Sequence, residues 1–275
     1  MIENVFGKCK RFAAALTVVF SMFAAQTMLF AGGSQAAKKG TRQEPVTILV
    51  AAAASLKNAY DMDIIPQFQA KYPWITVQGT YDSSGKLQTQ IENGLEADVF
   101  MSAAVKQMDD LVSEGYIDGN AVDYLLQNKL VLIKPADTTT TVTGFSSIAN
   151  AKTIAIGDPK SVPAGQYAEE ALTKIGVWSN LPASSVSLGT NVTEVLSWVG
   201  NGSAEVGVVY ATDAASSGNV AVIETLPEGI LSAPVIYPVA PLKNAPNPGA
   251  AKMFVDFLES DEGLAVFQKY GFSEN

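Results

Sequence analysis

Four short stretches hold the residue types that could do chemistry: Ser55, Ser83-Ser84-Gly85, Pro163-Ala164-Gly165 and Asn191-Val192. Each follows an apolar, strand-like run and opens a helix-like pattern. The first turn of a helix carries backbone N–H groups without partners and the positive end of the helix dipole, so it favours an anion. Serine hydroxyls add donors, and the small residues around them let a ligand approach the backbone. Four such junctions meeting in one place would offer N–H and O–H donors with no cationic side chain, which suits a small oxyanion. Taken singly, each is more readily an ordinary capped helix, since serine and asparagine are preferred N-caps, and the functional reading depends on the repetition. Ser55, just ahead of a helical pattern, reads as such a cap.

Other chemistries fit less of the sequence. Ser83-Ser84-Gly85-Lys86 matches S-x-x-K, in which a lysine activates a nucleophilic serine, so a serine hydrolase using Ser83 and Lys86 is one alternative. The companion S-D-N and K-T-G patterns of those enzymes are absent. Gly79 with Gly85-Lys86 approaches a P-loop, but the spacing is one residue too long and Leu87 stands where Ser or Thr is required. Asp82, Asp98 and Asp158 could be read as metal ligands, yet aspartates at strand ends are commonly turn and cap residues. The chain has no histidine, which removes Ser-His-Asp and Cys-His catalysis and histidine metal ligation together. No catalytic residue and no cofactor is expected.

The elements that must position these residues alternate along the chain. Strand-like Val46–Val50, Ile75–Tyr81, Ala97–Met101, Leu130–Ile133, Thr153–Ile156, Val186–Leu188, Glu205–Val209, Val220–Ile223 and Val235–Val239 are separated by helical patterns. Helices are expected after Ser55 (kinked at Pro66), over Lys86–Asn93, Val105–Glu114, Ala121–Leu126, Gln166–Ile175, Val192–Val199, Ala250–Leu258 and Glu262–Tyr270. Alternation of this kind predicts an α/β fold with mainly parallel sheets. Such sheets bind ligands at the carboxyl ends of their strands, where the four junctions fall.

Composition sets the remaining bounds. With 275 residues, 48% hydrophobic and 16% charged, the chain can bury one large core or two medium ones. A net charge of −9 argues against nucleic acid as a partner. It does not exclude a small anion, because distant surface charges are screened over roughly 8 Å at physiological salt. Residues 1–36 read as a signal peptide: Lys8, Lys10 and Arg11, then an apolar stretch from Phe12 to Phe30, then the small-x-small site Ser34-Gln35-Ala36. Cleavage there would remove Cys9, the one cysteine, and take the net charge from −9 to −11. An uncleaved membrane anchor is the alternative for so long an apolar stretch.

Five blocks, AAAASLKNA, YDSSGKLQTQIENGLEADVFMSA, GDPKSVPAGQYAEEAL, GVVYATDA and the terminal KYGF, together resemble the periplasmic molybdate-binding proteins of ABC transporters. The likeness runs from Val46 to the end. It implies a type II periplasmic binding protein, with two α/β domains joined by a two-strand hinge. Domain I would comprise residues 45–128 and 238–275 and domain II residues 129–237, with crossings near Asn128–Leu130 and Tyr237–Val239. By resemblance, a tetrahedral oxyanion is held by the hydroxyls of Ser55, Ser84 and Tyr210 and the backbone N–H groups of Ala164 and Val192, with Ser83 as an additional contact. The implied ligand is molybdate, and tungstate with it. The implied partner is an ABC permease in the inner membrane, served by a periplasmic monomer. Sulfate and phosphate are the alternative oxyanions.

Overall fold

The computed structural model describes residues 43–275. The expected signal peptide, residues 1–36, and Cys9 lie outside the described residues.

β1 (Val46–Ala53) is apolar throughout its second half, with Ala51, Ala52 and Ala53 all buried. A 3-10 turn, Ala54–Leu56, leads into α1 (Lys57–Ala59), a π turn at Tyr60–Ile64 and α2 (Ile65–Lys71). The π turn falls just ahead of Pro66. A proline ring clashes with the carbonyl four residues earlier, and the wider turn makes room for it. Then follow β2 (Ile75–Asp82), α3 (Ser84–Glu92), β3 (Val99–Met101), α4 (Val105–Ser113) and β4 (Asp123–Asn128). β5 (Leu130–Pro135), β6 (Ile154–Gly157), α5 (Pro163–Lys174), β7 (Val186–Gly189), α6 (Val192–Gly200), β8 (Val206–Tyr210), α7 (Ala211–Ala215) and β9 (Val220–Thr225) form the middle of the chain. β10 (Val235–Pro241), α8 (Pro248–Leu258), α9 (Asp261–Lys269) and β11 (Ser273–Glu274) complete it.

The strands form two sheets, ordered β11-β4-β10-β3-β1-β2 and β7-β6-β8-β5-β9. The α/β class is as expected, but the sheets are mixed rather than mainly parallel. β1 pairs in parallel with β2 and β3, and β6 with β7 and β8, whereas β4, β5, β9, β10 and β11 pair antiparallel. The chain leaves the first sheet along β4 and returns to it along β10, next to each other, so those two strands must run in opposite senses. β4 also corrects the helix expected over Ala121–Leu126. A six-residue segment, apolar but for Asp123, does not distinguish the two periods, and pairing with β10 decides for a strand. Gly79, the first glycine of the P-loop-like spacing, lies inside β2 and not in a loop.

Two segments join the sheets. Lys129 alone separates β4 from β5, within the expected Asn128–Leu130. The return crossing lies between Thr225 and Val235, ahead of the expected Tyr237–Val239, because β10 already belongs to the first sheet from Val235. β10 carries a register shift at Tyr237/Pro238. Proline donates no ladder hydrogen bond and is accommodated in an inner strand at such an irregularity.

Helices cover the sheets with apolar faces. Under α8 and α9, Phe68 meets Phe254 edge-on at 5.0 Å between ring centroids, and Tyr60 packs against Phe254 and Phe267. On the other face of the same sheet, Leu87, Ile91, Phe100, Met108 and Leu111 bury α3 and α4. In the second sheet Ala168 and Leu172 of α5 and Val195 and Val199 of α6 are fully buried.

Candidate functional site

Register brings the junctions together. β1 and β2 run level from Val46 opposite Ile75 to Ala53 opposite Asp82, so Ser55 and Ser83-Ser84 emerge side by side. Gly157 at the end of β6 lies opposite Gly189 at the end of β7, which starts α5 and α6 at one edge of the second sheet. α5 is seated very close to its strand: a Cβ on Gly165 would stand 2.0 Å from the Gly157 carbonyl oxygen, so only glycine fits there. The two edges face each other across a cleft lined by Ser55, Ser83, Ser84, Ala164, Val192 and Tyr210, with Ala103 at its wall. All six residues expected at the site are brought together.

Each donor is held in its own way. Ser84 Oγ accepts the Ala103 N–H at 2.9 Å, which leaves its proton for the cleft. Ser55 does not cap a helix, contrary to expectation. It lies within the 3-10 turn, and its Oγ is 2.9 Å from the Tyr237 hydroxyl. Ser83 occupies the N-cap position of α3 without capping it, and its buried Oγ has no protein partner. Ala164 and Val192 stand in the first turns of α5 and α6, where the residues four back lie outside the helix and their N–H groups have no intrahelical acceptor. Neither gains a side-chain cap: Val162 has no side-chain acceptor and its carbonyl serves the Gly165 and Gln166 N–H groups, and Asn191 Oδ1 is used by the Glu194 N–H. Tyr210, at the end of β8, is buried and makes only a long 3.4 Å contact to the Ala103 carbonyl. Burial pushes the Tyr210 hydroxyl well above its ordinary pKa, so it stays a neutral donor. Burial also pushes the nearby Asp213 carboxyl up to about 7, offset in part by the Tyr210 N–H it accepts.

The cleft is narrow, with room for the centre of a water-sized sphere in only about 10 Å³. Bonds across it hold the two edges together. Gly85 N–H donates to the Ser161 carbonyl at 3.0 Å, Asn191 Nδ2 to Asp82 at 3.2 Å, and Gln107 Nε2 to Gln166 at 3.2 Å. A larger cavity of about 530 Å³ lies at the two crossings, between Gln127–Leu130 and Thr225–Val235, and touches none of the six residues. The crossing cavity is the larger of the two, while the cleft is the one that gathers the junction residues.

The arrangement answers the alternative readings. Lys86 Nζ contacts Asp82 at 3.4 Å and Ser83 Oγ has no hydrogen-bond partner, so the serine–lysine pair of a hydrolase is not formed. Asp82 and Asp158 accept turn N–H groups from Ser83 and Lys160. Asp98 is a buried brace. Among the described residues no group of three or more acidic, cysteine or histidine side chains is placed to hold a metal. What the junction pattern did not signal is Tyr237 and Asn128, which stand behind Ser55 and carry no local motif.

Comparison with known proteins agrees with this geometry. A family model described as bacterial extracellular solute-binding protein matches residues 48–273. The chain is 37% identical over 269 residues to the putative ABC transporter substrate-binding lipoprotein YvgL of Bacillus subtilis, covering 98% of this chain and 99% of that one. It is 37% identical over 260 residues to the molybdate-binding protein ModA of Escherichia coli, covering 92% and 97%. The solved substrate-binding domain of a putative molybdenum ABC transporter from Clostridium difficile is 36% identical, with a TM-score of 0.63 over 83% of this chain and 99% of that chain. Two facing α/β sheets, a donor-lined cleft between them and a family match over nearly every described residue lead to one assignment: the chain belongs to the bacterial extracellular solute-binding proteins.

Proposed function

We propose that this protein, exported to the periplasm, captures molybdate, and tungstate with it, in the cleft and delivers the anion to an ABC permease in the inner membrane, without catalysing a reaction. The observation that carries the reading is the set of neutral donors gathered at the cleft, of which the buried Ser83 Oγ has no protein partner. Ser55, Ser83, Ser84 and Tyr210, with their hydroxyls, and Ala164 and Val192, with first-turn N–H groups, line one cleft whose lining has no lysine, arginine or carboxylate. Neutral donors fixed by backbone cannot adapt far, so anion size selects. A smaller anion leaves donors short of its oxygens, and each unsatisfied buried donor costs about 1–3 kcal/mol. Hydrogen phosphate meets a second obstacle, since its proton needs an acceptor and the lining has no carboxylate. The names of the relatives agree with molybdate.

The test is thermal. A ligand at about 1,000 times its dissociation constant stabilises by about 4 kcal/mol, which for a chain of this size raises the melting temperature by roughly 8–16 °C. Molybdate and tungstate are expected to give that shift, with little from equal sulfate or phosphate. A shift with sulfate as large as that with molybdate overturns the assignment.

Closure gives a second expectation. A Cβ at Gly85 would lie 2.5 Å from the Ser161 carbonyl oxygen and 2.8 Å from its Cα, so Gly85→Ala opposes the approach of the two edges while leaving each sheet intact. The dissociation constant for molybdate should rise on the order of 10-fold, because the binding-competent closed form becomes rarer. Calorimetry reads the affinity, and small-angle scattering should show less compaction on adding molybdate than in the wild type. Unchanged affinity would mean that closure does not use this contact.

A further inference from the structure

Behind Ser55 lies a chain of hydrogen bonds whose direction can be read from its far end. Asn128 Oδ1 accepts the Lys129 N–H at 2.8 Å, which fixes the orientation of the amide. Its Nδ2 therefore points the other way and donates to Thr212 Oγ1 at 2.9 Å and to the Tyr237 hydroxyl at 3.2 Å. An amide nitrogen only donates, so the Tyr237 oxygen accepts from it and the single phenolic proton is left for Ser55 Oγ at 2.9 Å. Ser55 then accepts, and its own proton turns to the cleft. Burial keeps the Tyr237 hydroxyl protonated.

The chain is built into the fold. Tyr237 sits at the register shift of β10, an irregularity that re-aims a side chain. Its ring is fully buried, edge-on to Tyr210 at 5.7 Å and to Phe272 at 5.3 Å. Asn128 is the last residue of β4 before the first crossing, and Thr212 lies in α7, two residues beyond Tyr210. The amide thus touches the crossing through Lys129, the first sheet through Tyr237 and α7 through Thr212.

We infer that Asn128 and Tyr237 are positioning residues that hold Ser55 as a donor, and so bias the cleft toward anions that present only acceptors. The inference rests on the oxyanion reading above and adds what sets the polarity of its site. A carboxylate at position 128 would invert the chain: it accepts from Tyr237, Tyr237 accepts from Ser55, and Ser55 turns lone pairs toward the anion.

The experiment is calorimetric titration of molybdate into wild type, Tyr237→Phe, Asn128→Asp and the double variant, with unliganded melting curves to confirm folding. Tyr237→Phe frees the Ser55 hydroxyl to rotate and is expected to weaken binding by about 5-fold, the value of one ordinary hydrogen bond. Asn128→Asp is expected to weaken it by about 50-fold, since a donor to a charged group is replaced by a lone pair. In the double variant the new charge remains but the chain is cut, so affinity should return to near that of Tyr237→Phe. If Asn128→Asp costs the same with and without the Tyr237 hydroxyl, the loss is charge repulsion and the inference falls. Should Asn128→Asp fail to fold, Tyr237→Phe in a Ser55→Ala background decides. No further loss there supports the chain, and a full additive loss overturns it. A wild type that binds molybdate while Tyr237→Phe binds equally well removes this inference and leaves the function standing; a wild type that binds no molybdate removes both.

Discussion

Replacing Ser55 and Ser84 together by alanine is expected to weaken molybdate binding by on the order of 10²- to 10⁴-fold. A hydrogen bond to a charged group contributes about 1.5–3 kcal/mol, and each 1.4 kcal/mol is tenfold in affinity. The two serines come from different elements, Ser55 beyond β1 and Ser84 at the start of α3, and they have separate partners, Tyr237 and the Ala103 N–H. Their contributions should therefore add, apart from what they share through the anion. Each single variant should lose roughly 10- to 100-fold. Ser84→Ala also leaves the buried Ala103 N–H without its acceptor, so it should lower the unliganded melting temperature as well. Titration calorimetry well below the melting temperature separates the two effects. A double variant within threefold of wild type would sink the assignment of both serines.

Asp98→Ala is expected to damage the fold strongly although it lies outside the cleft and removes no apolar side chain. Asp98 precedes β3 and is 1% exposed. One carboxylate oxygen accepts the Leu49 N–H at 2.8 Å, and the other accepts the Asn247 N–H at 2.7 Å, at the start of α8. It thereby ties the middle of β1 to a segment about 200 residues later. Alanine would leave two backbone donors without acceptors, at about 1–3 kcal/mol each. The sum, roughly 2–6 kcal/mol, corresponds to a fall in melting temperature of about 5–20 °C for a domain of this size. Asp98→Asn keeps one acceptor oxygen and should lose about half as much. Differential scanning calorimetry reads both, and an Asp98→Ala melt within 2 °C of wild type would show that this brace contributes little.

The same residue shows how far local sequence carries. Asp82, Asp98 and Asp158 looked alike as strand-end aspartates, and Asp82 and Asp158 do cap their own turns. Asp98 braces distant backbone instead, because sheet order sets β10 against β3 and brings the approach to α8 beside it. Ser55 is a parallel case. A serine before a helical pattern predicts a cap, yet its hydroxyl is taken by Tyr237, 182 residues later. Local rules describe what a residue can do within one turn and are silent when a remote partner competes.

The alternation of strands and helices, the four junctions and the hydroxyl and N–H groups that the proposed function uses are all legible in local sequence. These are short-range signals: apolar periodicity and the residue types at helix starts act within a few positions of each other. The family resemblance added Tyr210 as a candidate ligand; its position at the end of β8 has no local motif to mark it. Tertiary structure alone decided that β4 is a strand, that the sheets are mixed, and that the return crossing precedes Val235. It also decided that Lys86 pairs with Asp82 while Ser83 stands free, and that Asn128 and Tyr237 stand behind Ser55. Each of those outcomes depends on which strands become neighbours. That choice is made by burying the apolar faces of the whole chain at once, so no stretch of a few residues records it.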